Sequence, residues 1–168
     1  MIIQIRPETA ADIQQIEDLT VAAFLNAPHT DHTEQFIVKA LRNAGALSIS
    51  LVAEDESRIL GHVALSAVSV SDGASGWYGL GPISVLPTEQ GKGIGSRLMK
   101  AAIEQLKALD ANGCVLLGEP AYYERFGFKA VAGLELPGVP PEYFQALLLQ
   151  GNCPQGTVSY HQAFFATS

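Results

Sequence analysis

Cysteine is scarce. Cys114 and Cys153 are the two in 168 residues, too far apart for a CxxC motif and without a histidine pair at zinc-ligand spacing. That excludes a disulfide framework and a zinc module, so two free thiols in a reducing compartment and no metal site are expected. Long apolar runs are also missing. No segment approaches the roughly 18–20 consecutive apolar residues that cross a bilayer. The start, Met1-Ile2-Ile3-Gln4-Ile5-Arg6-Pro7-Glu8, lacks the basic region and apolar stretch of a secretory signal. A soluble cytoplasmic protein without a membrane partner is the expectation. Positive charge is short as well: 10 Lys+Arg against 17 Asp+Glu leave a net charge of −7. That balance argues against a broad surface for nucleic acid or anionic lipid. What is abundant is apolar side chain, 48% of the residues, which excludes a disordered chain and suits a sizeable core. No repeat, linker or low-complexity stretch divides the sequence, so residues 1–168 read as one domain.

Periodicity outlines the elements. Ile2 to Ile5 is a short β-branched strand. Thr9 to Asp12 has the form of a capping box, and Ile13, Ile16, Leu19 or Thr20, Ala23 and Phe24 follow at helical spacing. A second helix is predicted over Thr33 to Ala44, closed by Gly45. Leu47, Ile49, Leu51 and Ala53 alternate with Ser48, Ser50, Val52 and Glu54, a period of two that marks a strand. Turns at 55–58 and 72–76 connect it to strands over Ile59 to Val70 and Trp77 to Leu86. The strongest helix opens at a glycine loop, buries Leu98, Ala102, Leu106 and Leu109, and is followed by Gly113. Cys114 to Leu117 is a buried strand, Pro120 to Arg125 a single short helix, and Gly127 to Val131 another strand. Leu136 to Pro141 is a loop, and Tyr143 to Leu149 and Val158 to Phe165 are late strands. The order describes an α+β domain around a mostly antiparallel sheet.

Chemistry gathers at Gln90-Gly91-Lys92-Gly93-Ile94-Gly95-Ser96. A strand running through glycines into a helix makes an anion site, because the first helical N–H groups lack internal partners and the helix dipole favours negative charge. Lys92 and Arg97 add positive charge. A Walker A loop fails, since Leu86 stands where its first glycine belongs. A dinucleotide fingerprint fails at Ser96 and in its antiparallel context. The pattern [QR]-x-x-G-x-[GA] is met by Gln90, Gly93 and Gly95.

With these residues the sequence resembles the GCN5-related N-acetyltransferases, the GNAT superfamily, and within it the YhbS-like bacterial group. The resemblance covers nearly the whole chain. It is carried by Ile5-Arg6-Pro7-Glu8 leading to Asp12, Gly61-His62-Val63, Leu80-Gly81-Pro82-Ile83-Ser84-Val85, the glycine loop, and Tyr122-Tyr123-Glu124-Arg125-Phe126-Gly127-Phe128. It implies the GNAT fold, a mixed and mostly antiparallel sheet of about six to seven strands whose strand before the glycine loop splays from its neighbour. It implies acetyl-CoA as cosubstrate, its pantetheine arm paired with Ile83, Ser84 and Val85 like an added strand. The pyrophosphate would lie on the N–H groups of Gly91, Lys92, Gly93, Ile94, Gly95 and Ser96, with Gln90 at the entrance.

The resemblance makes Tyr123 the acid that protonates the departing thiolate, a role a phenol with pKa near 10 can fill. Tyr122 is expected to pack beside it, and Phe126 and Phe128 to be core. Some members of the family carry a glutamate on the strand before the loop. Counting back from Gln90, that place falls near Gly79, which has no side chain. A water relay, Glu119 and His62 are the alternatives for the base, with Glu119 the leading protein group. His29 and His32 occupy the loop where the family often shapes its acceptor site, with a solvated loop the expectation for both, and Cys114 reads as an inert buried thiol. The implied reaction is direct transfer of acetyl to an amine of a small molecule or a protein. The competing function is a non-catalytic acyl-CoA-binding module. The 136–141 loop and the aromatic tail, Tyr160 to Phe165, are expected to form a pocket wall or a homodimer contact, the latter through an unpaired final strand.

Overall fold

In a computed structural model, residues 2–28 and 30–168 are described; His29 lies outside them. Six strands form the main sheet in the order β1-β2-β3-β5-β6-β8: β1 (Gln4–Pro7), β2 (Ile49–Asp55), β3 (Arg58–Ala67), β5 (Trp77–Val85), β6 (Gly113–Leu117) and β8 (Phe144–Leu148). Among the described pairs of this sheet only β5 and β6 run parallel; the others are antiparallel. Three short strands, β4 (Ser69–Val70), β7 (Leu134–Glu135) and β9 (Gly156–Ser159), make a second sheet in the order β4-β9-β7.

Helices cover both faces of the main sheet. α3 (Ile94–Ala108) lays Leu98, Met99, Ala102 and Leu106 over Leu51, Val63 and Leu65. α1 (Ile13–Phe24) and α2 (Glu34–Asn43) cover the other face, where Ile16, Leu19 and Val38 meet Val52 and Ala64. Val52, grouped by its period with the outward polar residues, is therefore fully buried. A strand covered on both faces needs no polar side. Before α1, Asp12 accepts from the Thr9 N–H at 2.7 Å, but it ends a separate turn over Ala10–Asp12, and α1 begins only at Ile13. Asp12 also takes the Arg6 guanidinium through two bonds of 2.7 and 3.0 Å, which ties the start of α1 to β1.

Several expectations need correction. α3 ends at Ala108, before Leu109, which was expected on its buried stripe. The chain turns at Asp110, where φ is +57°, and Gly113 opens β6 with the Trp77 ring packed where a Cβ would project. Leu109 lies beyond the helix and is exposed. Residues 127–131 form no strand, only a single bridge between Lys129 and Ala146. The last strand stops at Ser159, and Gln162–Phe165 is a helical turn. Because β9 is the middle strand of its sheet, both its edges are paired. The motive for a dimer through an unpaired final strand is thereby removed.

The contact that seats α3 is close. A Cβ on Gly61 would lie 2.9 Å from Leu98 Cδ1, 3.0 Å from Ile94 Cγ2 and 3.2 Å from the Ser84 carbonyl oxygen. The last of these is backbone and cannot yield by a rotamer change. Gly61→Ala is therefore expected to cost about 1–3 kcal/mol, read as a lower urea midpoint with an unchanged m-value.

Candidate active site

β5 is shared by two partners along different parts of its length. It pairs with β6 only at Trp77–Gly113, Tyr78–Cys114 and Gly79–Val115. Beyond Gly79 it stays with β3 as far as Val85, while β6 pairs with β8. The expected splay is present, and the Gly81–Pro82 peptide at its opening is cis. Antiparallel register assigns the free groups. Leu86 N–H bonds the Leu60 carbonyl at 2.9 Å, and Ser84 pairs with His62, so Ser84 spends its main-chain bonds on β3. The main-chain groups of Ile83 and Val85 then point into the gap. Gln90 Nε2 donates to the Val85 carbonyl at 3.2 Å, from the side away from β3.

At the end of β5 the glycine loop turns into α3. Gly91 and Gly93 hold φ of +81° and +82°, a left-handed backbone that glycine adopts without cost. The N–H groups of Ile94, Gly95 and Ser96 open a 15-residue helix and have no partner within it. A cleft of about 370 Å³ faces them, lined by Val85, Glu89, Gln90 and the loop, with Tyr122 and Arg125 as its far wall. Gly95 keeps that cleft open, since a Cβ there would sit 3.3 Å from Tyr122 Oη. The Arg125 guanidinium stacks 4.5 Å over the Tyr122 ring. The two cations expected at the loop are engaged elsewhere. Lys92 Nζ leans on buried Glu89 at 3.4 Å and is outside the cleft lining, and Arg97 donates to the Ile3 carbonyl at 2.7 Å. Arg125 is the basic side chain in the lining. Arg125 was not expected there, although its place between Tyr123 and Gly127 was a usable signal.

A second cavity, about 400 Å³, occupies the splay itself. Leu80 to Ile83 form its floor and Leu116 and Leu117 its far side. Tyr123, the last residue of α4 (Pro120–Tyr123), enters from the β6 side. Its ring lies on the backbone of Gly118, where a Cβ would fall 2.2 Å from Cε2, and it meets Tyr122 and Phe128 edge-on at 4.9 and 6.4 Å. Burial, helped by Tyr122, raises the phenol above its usual pKa, so it stays protonated. Phe128 is buried as expected; Phe126 is half-buried.

The candidates for the base are dispersed. Glu119 is exposed at the N-terminal end of α4 and is absent from the cavity lining. Gly79 has no room for a side chain, because a Cβ would lie 2.3 Å from Cε1 of Tyr160. His62 is sealed on the face under α1. Its Nε2 is 2.8 Å from Ser50 Oγ, Ser50 bonds Glu8, and Arg42 donates to Glu8 through two bonds of 2.9 and 3.0 Å. Burial would raise the Glu8 carboxyl, but the bonds from Arg42 and Ser50 hold it below the usual range. Burial pushes His62 down to about 4, with Arg42 adding to it and Glu8 opposing. Cys114 is fully buried, and burial pushes its thiol pKa far up. Leu136, Tyr160 and Phe164 line the cavity, so the loop and tail do form a wall. His32 is exposed, with φ +59°.

Known proteins share this architecture. The acetyltransferase (GNAT) domain model matches residues 46–130. The Escherichia coli K12 N-acetyltransferase YhbS is 32% identical over 151 residues, 86% of this chain and 90% of that protein. A GNAT family acetyltransferase from Brucella melitensis, solved in complex with acetyl-CoA, is 46% identical with a TM-score of 0.87, covering 97% of this chain and 98% of that one. E. coli YhbS in complex with CoA gives a TM-score of 0.88 over 99% of this chain and 93% of its own. A strand that leaves its parallel neighbour just ahead of a glycine-opened helix thus places the molecule among acyl-CoA-dependent acetyltransferases. The chain belongs to the GNAT family.

The buried imidazole has a consequence for stability. An unfolded histidine takes a proton near pH 6.5, whereas His62 does so only near 4. Between those values the unfolded chain binds the extra proton, so stability rises with pH and is lost as pH falls from 6.5 toward 4. The depression corresponds to roughly 3 kcal/mol. Urea titrations at pH 7 and pH 4.5 should show that loss, and His62→Gln should flatten it.

Proposed function

We propose that this GNAT protein moves the acetyl group of acetyl-CoA to a primary amine by direct transfer within one ternary complex. The observation that carries the proposal is the continuity of three features along β5: a cleft at the glycine loop, main chain at Ile83 and Val85 that no strand pairs on the β6 side, and a phenol at the splay. Ile83 and Val85 receive the pantetheine arm as an added strand, and Ser84 holds β5 to β3. Gln90 gives up the Val85 carbonyl to that arm. The main-chain N–H groups from Gly91 through Lys92, Gly93, Ile94 and Gly95 to Ser96 hold the pyrophosphate, and Arg125 supplies charge across the cleft.

The cosubstrate supplies an activated acyl thioester. Tyr123, protonated at neutral pH, aims its hydroxyl at the sulfur and gives its proton as the carbon–sulfur bond breaks. The amine nitrogen forms the new carbon–nitrogen bond, one of its protons leaves to solvent at the open cavity mouth, and solvent returns a proton to the Tyr123 phenolate. Glu119 has no part in this route, which makes the water relay the reading favoured over either protein base. A binding module without turnover would need no such phenol.

Tyr123→Phe is expected to leave acetyl-CoA affinity unchanged by calorimetry while turnover falls tenfold or more, at least about 1.4 kcal/mol in the barrier. Undiminished turnover would remove Tyr123 from the mechanism. Glu119→Gln should keep kcat within about twofold in the same assay; a large fall would return the base to Glu119.

A further inference from the structure

The cavity at the splay carries a charge that the transfer chemistry above does not use. Glu34, the first residue of α2, lines it together with Tyr123 and Ile83. Among the described residues it is the one carboxylate in that lining. Thr30 Oγ1 sits 2.7 and 2.6 Å from its two oxygens and also accepts the His32 N–H at 3.0 Å. The carboxylate is thus fixed at the end of the loop between α1 and α2. The surfaces around it are apolar: Phe24, Ile37, Leu116, Tyr160 and Phe164 share the lining, with the Tyr160 and Phe164 rings 4.9 Å apart.

We infer that the acceptor is a primary amine with an apolar or aromatic body and no carboxylate near its nitrogen, and that Glu34 binds its ammonium head. The inference rests on the acetyl-transfer reading. A single carboxylate beside low-dielectric walls attracts a cation more strongly than one in water and repels an anion equally. The aromatic walls gain from burying a hydrocarbon body. A polyamine would have to bring further charges against those walls without partners, which is unfavourable. An α-amino acid would set its own carboxylate against Glu34. Pairing holds the nitrogen in the cavity that also contains Tyr123. The proton lost before attack leaves from that paired ammonium to solvent, the free amine forms the bond to the acetyl carbon and releases a second proton as the carbon–sulfur bond breaks, the thiolate takes its proton from Tyr123, and solvent carries the second proton back to the phenolate.

The test uses the full chain with acetyl-CoA and three acceptors: 2-phenylethylamine, phenylalanine and spermidine. Expected is a kcat/KM for 2-phenylethylamine about 100-fold above that for either of the others. In Glu34→Gln the KM for 2-phenylethylamine should rise at least tenfold and the preference over phenylalanine should shrink by the same factor, while acetyl-CoA affinity stays unchanged. Glu34→Asp, which keeps the charge but retracts it by one methylene, should fall between the two and serves if the glutamine variant does not fold. Intact acetyl-CoA binding with no preference for the apolar amine, or with an unchanged KM in both variants, overturns this inference alone. Loss of acetyl-CoA binding by the unmodified protein overturns the acetyltransferase reading and this inference with it.

Discussion

The molecule is organised around main-chain groups that a central strand leaves unpaired. β5 is bonded on both sides for three residues and on one side thereafter. Unpaired peptide groups inside a sheet are costly unless water or a partner meets them. Gln90 covers the Val85 carbonyl, and Pro82 brings no N–H that would need a partner. An edge on the outside of a sheet invites another protein strand. This one lies at the bottom of a cleft with β6 on its far side, so only a slender, chain-like partner with amide groups of its own can reach it.

The same economy governs the side chains. Tyr123 reaches the splay because Gly118 offers its ring a bare backbone, and Tyr160 reaches it because Gly79 does the same. Each aromatic gains a flat seat from a missing Cβ. The aromatic layer that results brings three polar side chains to the cavity lining, Tyr123, Tyr160 and Glu34, of which Glu34 alone is a carboxylate. His62, Ser50, Glu8 and Arg42 form a separate polar chain on the opposite side of β3, where they link β1, β2, β3 and α2.

Much of this was legible in the sequence because it was encoded locally. Glycines before a strong amphipathic helix identify the loop, alternation identifies β2 and β3, and Tyr-x-x-x-Gly-Phe places Tyr123. What was not legible depends on contacts between distant segments. Val52 reads as an outward position until α1 covers it. Lys92 and Arg97 look like anion ligands until Glu89 and the Ile3 carbonyl claim them, while Arg125 reaches the loop only through the turn after α4. Glu119 seemed close to the splay by strand order, but the N-terminal end of α4 turns its side chain to the surface. Glu34 gave no signal at all: a glutamate in a first helical turn is ordinary, and only the fold reveals which cavity it enters.

The walls of the splay cavity come from two different portions of the chain. Leu80 to Ile83, Leu116, Leu117 and Tyr123 fall within residues 46–130, the portion that matches the family domain, as do the loop and Arg125. Phe24, Glu34, Ile37, Leu136, Tyr160 and Phe164 fall outside it, before and after. In the proposed complex the donor's contacts come from the first portion, and the second adds Glu34 and most of the aromatic wall beside the amine. On the proposed reading, a substitution in the flanking portions would reach the acceptor without touching the glycine loop.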